Sequence, residues 1–355
     1  MGLSTINVEF KAAAQTAVKR SANGTVALIL KDETKEDTTY VYNNETEVVK
    51  SHWTSDNLNY INMAFKGSPK KVIIERIAAE GSLDDALKRL ANKKWNYLAV
   101  PSLQDGEVKT VADWIIAQRT AKKPFKAVLP HSVSNNIGII NFDTDDIKIG
   151  SKTYTTAEFC VYIASIIAGT ALNESVTGKV ISEINSITES LTPDADVDAG
   201  KLILINDGEQ VEIARGVNSL TTVGTNQTED MKSIKIVEGM DLITEDIRTT
   251  FKENYIGRSN SIENKELFIA AVNQYFETLT KEGVLYDGYE HYAEIDIDAQ
   301  REYLASKSVD VANMSDVASQ YRHIYVYGGT YSNAKRSGRF EIRCKHVIEE
   351  VDIYE

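Results

Sequence analysis

Residues 211–285 decide the fold, and they read VEIARGVNSLTTVGTNQTEDMKSIKIVEGMDLITEDIRTTFKENYIGRSNSIENKELFIAAVNQYFETLTKEGVL. Alternation of apolar and polar residues predicts strands at Val211–Arg215 and Ser233–Val237. Asp241 is predicted to open a helix that ends near Gly257, with an apolar stripe at Ile243, Ile247, Phe251 and Tyr255. A second helix, closed by Gly283, has an apolar face of Phe268, Val272, Tyr275 and Leu279.

Upstream of this stretch, apolar strands alternate with amphipathic helices. The predicted strands are Thr25–Leu30, Lys71–Ile77, Trp95–Val100 and Phe125–Leu129. The predicted helices are Asn57–Phe65, Ser82 to Ala91, Val108–Gln118 and Ala157–Leu172. This rhythm predicts a series of βαβ units and a mainly parallel sheet. A further strand, Lys201–Ile205, is predicted to turn at Asn206-Asp207-Gly208 into Val211–Arg215.

Both ends of the chain carry the two-faced alternation of a strand. Near the amino terminus the apolar positions are Ile6, Val8 and Phe10. After the predicted strands Tyr292–Ile297 and His323–Tyr327, the alternating positions are Phe340, Ile342, Cys344, Val351 and Ile353. Such a strand must either complete a sheet of its own chain or pair with a sheet edge of another. For the first twenty residues a disordered tail is the alternative.

Composition is that of an ordinary soluble protein, with 42% hydrophobic and 26% charged residues among 355. The formal net charge of −13 argues against nucleic-acid binding, because an acidic surface repels phosphate backbones. Cys160 and Cys344 form no metal-spaced pair, which suits a reducing compartment. We find no signal peptide, and the most apolar run, Phe159–Leu172, is too short to cross a bilayer.

Motifs for a nucleotide, a zinc ion or a serine nucleophile are missing. The chain contains no GxGxxG or GxxxxGK[ST] loop, no HExxH and no GxSxG. The five histidines are scattered, at His52, His131, His291, His323 and His346. We therefore expect no cofactor, no metal and no catalytic site.

One acidic segment, DADVDAG at Asp194–Gly200, has the spacing that begins a calcium-binding loop. An EF-hand loop needs glycine at its sixth position and glutamate at its twelfth, where this chain has Ala199 and Ile205. A short helix explains the segment better, with Thr192 as its cap and Pro193 in its first position. We therefore interpret the acids as first-turn helix residues.

The segment Gly200–Thr222, GKLILINDGEQVEIARGVNSLTT, is followed by KIVEGMDLITEDIRTTFKENYIGRSNS. Together they resemble the tail sheath protein of contractile bacteriophages and of R-type phage-tail bacteriocins. The strand–turn–strand leading into RGVNSLTT, and the later YIGR-x-N, carry most of the likeness. The resemblance extends over most of the chain and is weakest in the first twenty residues.

The resemblance implies an α/β fold with a subtilisin-like, mainly parallel α/β domain and a smaller α+β C-terminal domain. It also implies extended strand arms at both termini. The expected boundaries are an N-terminal arm at 1–20, the α/β domain at 21–232, the C-terminal domain at 233–335 and a C-terminal arm at 336–355. The alternating residues at both ends would then be strands exchanged between subunits.

The function implied by the resemblance is structural. Copies of the chain would polymerise helically around a tail tube protein and contract to drive the tube through a bacterial envelope. Further expected partners are the baseplate and tail terminator proteins, with no nucleic acid and no membrane insertion. Assembly would take place in the host cytoplasm, and the product would be the tail of a virion or bacteriocin particle.

Two alternatives remain at this point. A subtilisin-like hydrolase is one, because the implied α/β topology is shared with such enzymes; Ser82, which opens a helix, is the nearest candidate nucleophile. Leu83, Asp84 and Asp85 follow it instead of small residues, and helix capping explains a serine at this place. The other alternative is the sheath of a related secretion system.

Overall fold

The computed structural model describes residues 24–36, 38–225, 227–255, 262–295, 297–306, 323–330, 338–345 and 352–354. These residues fall into two compact units. The α/β unit comprises Ala22–Gly224 with Met231–Val237, and the C-terminal unit comprises Thr225–Asp230 with Glu238–Glu355. The division falls within residues 224–238, and the domain and arm boundaries named above stay predictions.

The strands of the α/β unit are short and mostly buried. In chain order they are β1 (Thr25–Lys31), β2 (Thr39–Tyr42), β3 (Lys71–Ile77), β4 (Tyr97–Ala99), β5 (Lys126–Pro130), β6 (Ile139–Phe142), β7 (Asp145–Ile149), β8 (Lys152–Tyr154), β9 (Ser186–Thr188), β10 (Lys201–Leu202), β11 (Leu204–Asn206) and β12 (Val211–Ile213). Seven of them form one sheet in the order β10-β6-β5-β4-β1-β3-β2. All neighbours in it are parallel except the edge pair β2–β3, so the predicted mainly parallel sheet is confirmed.

Helices cover both faces of this sheet. They are α1 (Ser55–Lys66), α2 (Leu83–Leu90), α3 (Asp105–Thr120), α4 (Thr156–Gly169) and the short α5 (Pro193–Asp198). Side chains of α1 and α4 belong to the core cluster on one face, and side chains of α2 and α3 belong to the cluster on the other. Because both faces are covered, β1 is buried along almost its whole length, which explains its continuous apolar run.

The C-terminal unit combines helices with an antiparallel sheet. Its elements are α6 (Ile234–Asn254), whose first turn is counted with the α/β unit, α7 (Ile262–Lys281), β13 (Tyr292–Ile295), α8 (Ile297–Ser306), β14 (His323–Thr330), β15 (Gly338–Lys345) and β16 (Asp352–Tyr354). Helices α6 and α7 pack through aromatic rings, since the Phe268 ring centroid lies 5.3 Å from that of Phe251 and 5.0 Å from that of Tyr255. The predicted apolar stripes of both helices are buried, which confirms them.

Several predicted elements differ from the structure. Ser233–Val237 is not a strand, because α6 begins at Ile234 and passes through Asp241 without a break. The two-residue repeat of a strand and the 3.6-residue repeat of a helix both place the apolar residues of this segment on its inner face. Five residues are therefore too few to distinguish a strand from a helix. The predicted strand Lys201–Ile205 is divided at Ile203, since Leu202 pairs with β6 and Leu204 pairs with β12.

Other elements were missed or cannot be compared. Sequence patterns did not predict β2, the strands from β6 to β9, or α8, all of which are short or weakly patterned. Gly257, the predicted end of the first of the two helices, lies outside the described residues. The specific likeness to subtilisin topology stays a prediction.

Helices α1 and α4 approach each other backbone to backbone. A Cβ atom built on Gly169 would overlap the carbonyl group of Gly67, and one built on Gly67 would overlap the backbone at Ser165. The Ser165 hydroxyl, fully buried, donates to the carbonyl oxygen of Met63 at 3.3 Å or to that of Tyr162 at 2.8 Å. Glycine is therefore required at both positions by space.

We expect Gly169→Ala to destabilise the α/β unit by about 1–3 kcal/mol, because a backbone must move to admit the methyl group. Gly106→Ala is the matched control. Gly106 lies in α3, nothing lies within 4 Å of its built Cβ, and alanine there should stabilise by roughly 0.5–1 kcal/mol. Urea unfolding of both variants measures the two effects, and equal stabilities would contradict this account of α1–α4 packing.

Candidate assembly surfaces

The sheet of the C-terminal unit is built around a long antiparallel pair. Strands β14 and β15 pair through eight residue pairs, from His323 opposite Lys345 to Thr330 opposite Gly338. On the far side of β14 lies β13, and on the far side of β15 lies β16. All four strands therefore belong to one sheet within a single chain.

The predicted exchange residues are distributed unevenly over this sheet. Phe340, Ile342 and Cys344 lie in β15, opposite Gly328, Val326 and Ile324 of β14. Ile353 lies in β16, opposite Cys344. Val351, and the N-terminal residues Ile6, Val8 and Phe10, lie outside the described residues. Pairing of these strands with another copy stays a prediction.

Among the described residues, part of the outer edge of β15 has no neighbouring strand. Strand β16 pairs only with Arg343–Lys345, so in the described part of the chain Gly338–Ile342 has a strand on one side alone. Such an edge presents unpaired N–H and C=O groups, and an extended segment can add to it by backbone hydrogen bonding.

The hydrolase alternative can be tested first at the carboxyl end of β1, where a buried carboxylate lies. Asp32 accepts hydrogen bonds from the Thr34 amide at 2.9 Å and hydroxyl at 2.6 Å, from the Thr54 amide at 2.9 Å and from Asn57 Nδ2 at 2.8 Å. Burial alone would raise the pKa of Asp32, but these hydrogen bonds outweigh it and lower the pKa from 3.8 to about 2. Oδ1 therefore orders the loop after β1 through Thr34, and Oδ2 holds that loop to the start of α1 through Thr54 and Asn57.

A second polar network lies at the carboxyl ends of β5 and β6. His131 contacts Asp143 through Nδ1, and its Nε2 lies 3.3 Å from Asp145 Oδ1. Asp143 Oδ2 lies 2.6 Å from Lys201 Nζ, and the Thr156 hydroxyl contacts Asp145. A catalytic histidine needs one nitrogen for the nucleophile's proton. Both nitrogens of His131 face carboxylates, so the arrangement is an ion network and not a triad.

This network was not predicted from the sequence because β6 was not predicted. The parallel pairing of β5 with β6 and of β6 with β10 brings His131, Asp143 and Lys201 to one edge of the sheet. Residues directly after a buried strand were the available signal, since parallel strands end at a common edge.

The structure explains one of the two candidate chemical sites, the acidic segment, more fully than it explains Ser82. Ser82 occupies the N-cap of α2 but makes no capping hydrogen bond, so the predicted capping bond is wrong although the position is right. In the DADVDAG segment, Asp196 Oδ1 lies 2.8 Å from Lys201 Nζ, and Ser190 donates to the other oxygen. Hydrogen bonds from Lys201 and Ser190 lower the pKa of Asp196. The ammonium group of Lys201 thus occupies the position beside Asp196 that a bound metal cation would need.

Two absences apply to the described ranges alone. Within them, no group of three or more His, Cys, Asp or Glu side chains is arranged to hold a metal ion. Among the helices of those ranges, none has the length and apolarity needed to cross a membrane.

Sequence comparison decides the family. Residues 78–219 match the phage tail sheath protein central domain, and residues 226–328 match the phage tail sheath C-terminal domain. A tail sheath protein of Clostridium phage phiCD119 is 35% identical over 327 residues, which is 89% of this chain and 90% of that protein. The chain belongs to the phage tail sheath family. A tail sheath protein is a structural component of the particle's tail and not an enzyme.

Solved structures share the fold of this tail sheath protein. The sheath tail protein of Desulfitobacterium hafniense aligns with a TM-score of 0.71 at 14% identity, covering 91% of this chain and 96% of that one. The anti-feeding prophage helical sheath in its contracted state aligns with a TM-score of 0.62 at 9% identity, covering 94% and 93%. The mixed α/β architecture is therefore that of sheath proteins.

We expect Asp32→Asn to lower the free energy of unfolding by about 1–3 kcal/mol at pH 7, because an amide group would face donors. The folded pKa of Asp32 is depressed, so its contribution is present above pH 3.8 and is lost as pH falls towards about 2. The variant should therefore lose less stability than the wild type between pH 4 and 2. Chemical unfolding across that range measures the slope, with exposed Glu33→Gln as the control, and parallel curves for Asp32→Asn and wild type would refute this role.

Proposed function

We propose that this tail sheath protein polymerises helically around a tail tube and contracts to drive that tube through a bacterial envelope. Family membership carries the proposal, since a relative covering 89% of the chain is itself a tail sheath protein. The fold shared with the anti-feeding prophage sheath, a helical sheath with a contracted state, supports it. The tail tube, baseplate and tail terminator proteins are the proposed partners.

The links between subunits are proposed to be exchanged strands. The arms at 1–20 and 336–355 would leave their own subunit and add to sheet edges of neighbours through Ile6, Val8, Phe10, Phe340, Ile342, Cys344, Val351 and Ile353. In the described residues, Gly338–Ile342 of β15 has a strand on one side alone, which supports the receiving half of such an exchange, because a strand adds to an edge by backbone pairing. Residues 11–17 and 331–338 would act as hinges between arm and body.

Contraction is proposed to draw on energy stored in the assembly. A sleeve that shortens needs a lower free-energy arrangement and a barrier that holds it extended until triggering. Exchanged strands keep neighbours attached while the bodies rotate, so a change at one end can pass along the sleeve. The sleeve would form in the host cytoplasm and then belong to a virion, a headless bacteriocin or a related injection particle.

We expect Ile342→Pro to leave the α/β unit folded but to abolish sleeves, because proline removes a backbone donor from β15. Ile342→Val keeps both the donor and the β-branched shape and is the matched control. Circular dichroism checks folding, and electron microscopy of sheath co-expressed with tube protein counts sleeves.

Deletion of residues 1–18 should have the same effect, and sleeves formed by the truncated protein would show that the N-terminal arm is not a link.

Subunits expressed without tube or baseplate should assemble only into the contracted form, since nothing holds them extended. Imaging of tube-free polymers measures their diameter and helical rise, which are compared with those of sheaths on particles before and after triggering. Extended sleeves that form and persist without a tube would contradict the stored-energy proposal.

A further inference from the structure

The two ends of the parallel strands in the α/β unit carry opposite charge. Three segments lead into the amino ends of β3, β4 and β5, at 66–71, 91–96 and 119–126. They contain nine basic residues and no acid: Lys66, Lys70, Lys71, Lys93, Lys94, Arg119, Lys122, Lys123 and Lys126. These strands and β1 are neighbours in the order β5-β4-β1-β3, so the basic segments lie along one sheet edge.

The opposite edge is acidic. Four segments follow the carboxyl ends of β1, β3, β4 and β6, at 32–36, 78–85, 100–107 and 143–146. They contain eleven acids and one lysine, Lys35; the acids are Asp32, Glu33, Glu36, Glu80, Asp84, Asp85, Asp105, Glu107, Asp143, Asp145 and Asp146. The α/β unit therefore has a basic amino end and an acidic carboxyl end.

Topology produces this separation. Each helix that joins parallel strands begins at their carboxyl ends and finishes at their amino ends. Helix N-termini favour acids and C-termini favour bases. Accordingly, α2 has acids in its first turn and Lys88 and Arg89 in its last, while α3 begins with acids and ends with Arg119. Because the strands are parallel, the charge preferences of the individual helix ends add up to a difference in charge between the two ends of the unit.

Charged side chains reach the surface at both ends. Lys70, Lys94 and Lys122 are exposed at the basic end, as are Glu33, Glu80 and Asp105 at the acidic end. Some charges are neutralised within the chain: at the basic end Lys66 pairs with Glu183 and Lys93 with Glu75, and at the acidic end Asp85 pairs with Lys88 and Asp143 with Lys201. The loop after antiparallel β2 also brings Glu45 and Glu47 beside the basic end, so the uniformly basic stretch is limited to the parallel strands.

The basic end is held rigidly by packed aromatic rings. Trp95, in the segment before β4, stacks on Phe125, in the segment before β5, with ring centroids 3.9 Å apart. Trp114 of α3 stacks at 6.2 Å from each ring. Lys123 Nζ donates to the carbonyl oxygen of Ala91 at 2.7 Å, which ties the two segments together. A charged surface that is already ordered loses little entropy on docking.

We propose that the basic amino end of one α/β unit docks on the acidic carboxyl end of the α/β unit of a second copy of this chain. The inference rests on the proposed helical assembly and assigns one contact within it. Because complementary surfaces lie at opposite ends of one molecule, the contact is head-to-tail and can propagate into an open helix. Like ends repel, so a closed dimer through either end is disfavoured. Chains with a net charge of −13 repel one another as a whole, but they attract one another when a basic amino end faces an acidic carboxyl end.

Two charge-reversal variants test the contact. The amino-end variant is Lys70→Glu with Lys94→Glu, and the carboxyl-end variant is Glu33→Lys with Glu80→Lys. Each alone brings like charges together, so we expect the apparent dissociation constant for self-association to rise about tenfold or more. An equimolar mixture of the two restores opposite charges at every contact and should associate like the wild type. The chain carrying all four substitutions should also associate, because both of its ends are reversed.

Sedimentation velocity at low and high salt measures the association, and electron microscopy with tube protein counts sleeves. Glu209→Lys with Glu282→Lys reverses two exposed acids outside all seven segments and should associate like the wild type. Thermal unfolding of every variant checks that each is folded. Association should weaken with salt, because surface charges are screened within about 10 Å at 0.1 M ionic strength.

The outcomes separate this contact from the proposed function. If the wild type forms sleeves and the single-end variants do so equally well, or the mixture fails to restore them, the contact is wrong and the sheath function stands. Failure of the mixture with loss of sleeves on complete particles would instead assign these ends to a different partner, such as a baseplate protein or another polyanion. If neither the wild type nor the control variant forms sleeves with tube protein, both proposals fall.

Discussion

Parallel pairing of β3, β1, β4 and β5 is the constraint on which the α/β unit depends. Parallel strands cannot be joined by a tight hairpin, so each connection has to cross a face of the sheet, and most do so as a helix. Helices then cover both faces, which leaves the central strands dry and requires their continuous apolar sequences. Parallel pairing also places the loops that follow the strands at the carboxyl edge of the sheet, and the segments that lead into the strands at its amino edge. The buried carboxylate of Asp32 and the partly exposed His131–Asp143–Lys201 network lie at the first of these edges.

Close helix packing follows from the same arrangement. The face formed by α1 and α4 has room for two helices only if their backbones approach, and Gly67 and Gly169 remove the side chains that would prevent it. At the antiparallel edge of the sheet, Arg76 is buried with its guanidinium 4.1 Å from the Trp53 ring centroid and 4.9 Å from that of Tyr40. Aromatic faces and the His52 carbonyl oxygen offset the cost of burying this charge. Edge strand β2 and the loop to α1 are thereby secured to β3.

The function of a tail sheath protein places different demands on its two units. In the proposed contraction, neighbouring subunits change their relative positions; each subunit would then need a rigid body, which the packed α/β unit supplies. The subunit would also need connections that survive such changes. In the part of the chain that the structure describes, Gly338–Ile342 of the C-terminal sheet has a strand on one side alone, so its backbone groups can pair with another segment. One subunit can have both rigid surfaces of complementary charge and strand edges to which another strand can add. The charged surfaces resist deformation, whereas the strand edges depend only on backbone pairing.

The sequence by itself determined the elements with long, unambiguous patterns. Continuous apolar runs located β1 and β3, the four-residue recurrence of Ile243, Ile247 and Phe251 located α6, and the resemblance at Gly200–Thr222 identified the family. Short elements such as β6 and β9 could not be found, because three or four residues carry no period. The start of α6 was misassigned for the same reason. Only the tertiary structure decided that His131, Asp143 and Lys201 meet, that Gly67 faces Gly169, and that acids and bases gather at opposite ends of the sheet. Each depends on which strands are neighbours and in which direction they run, and residues distant in sequence carry no local record of that choice.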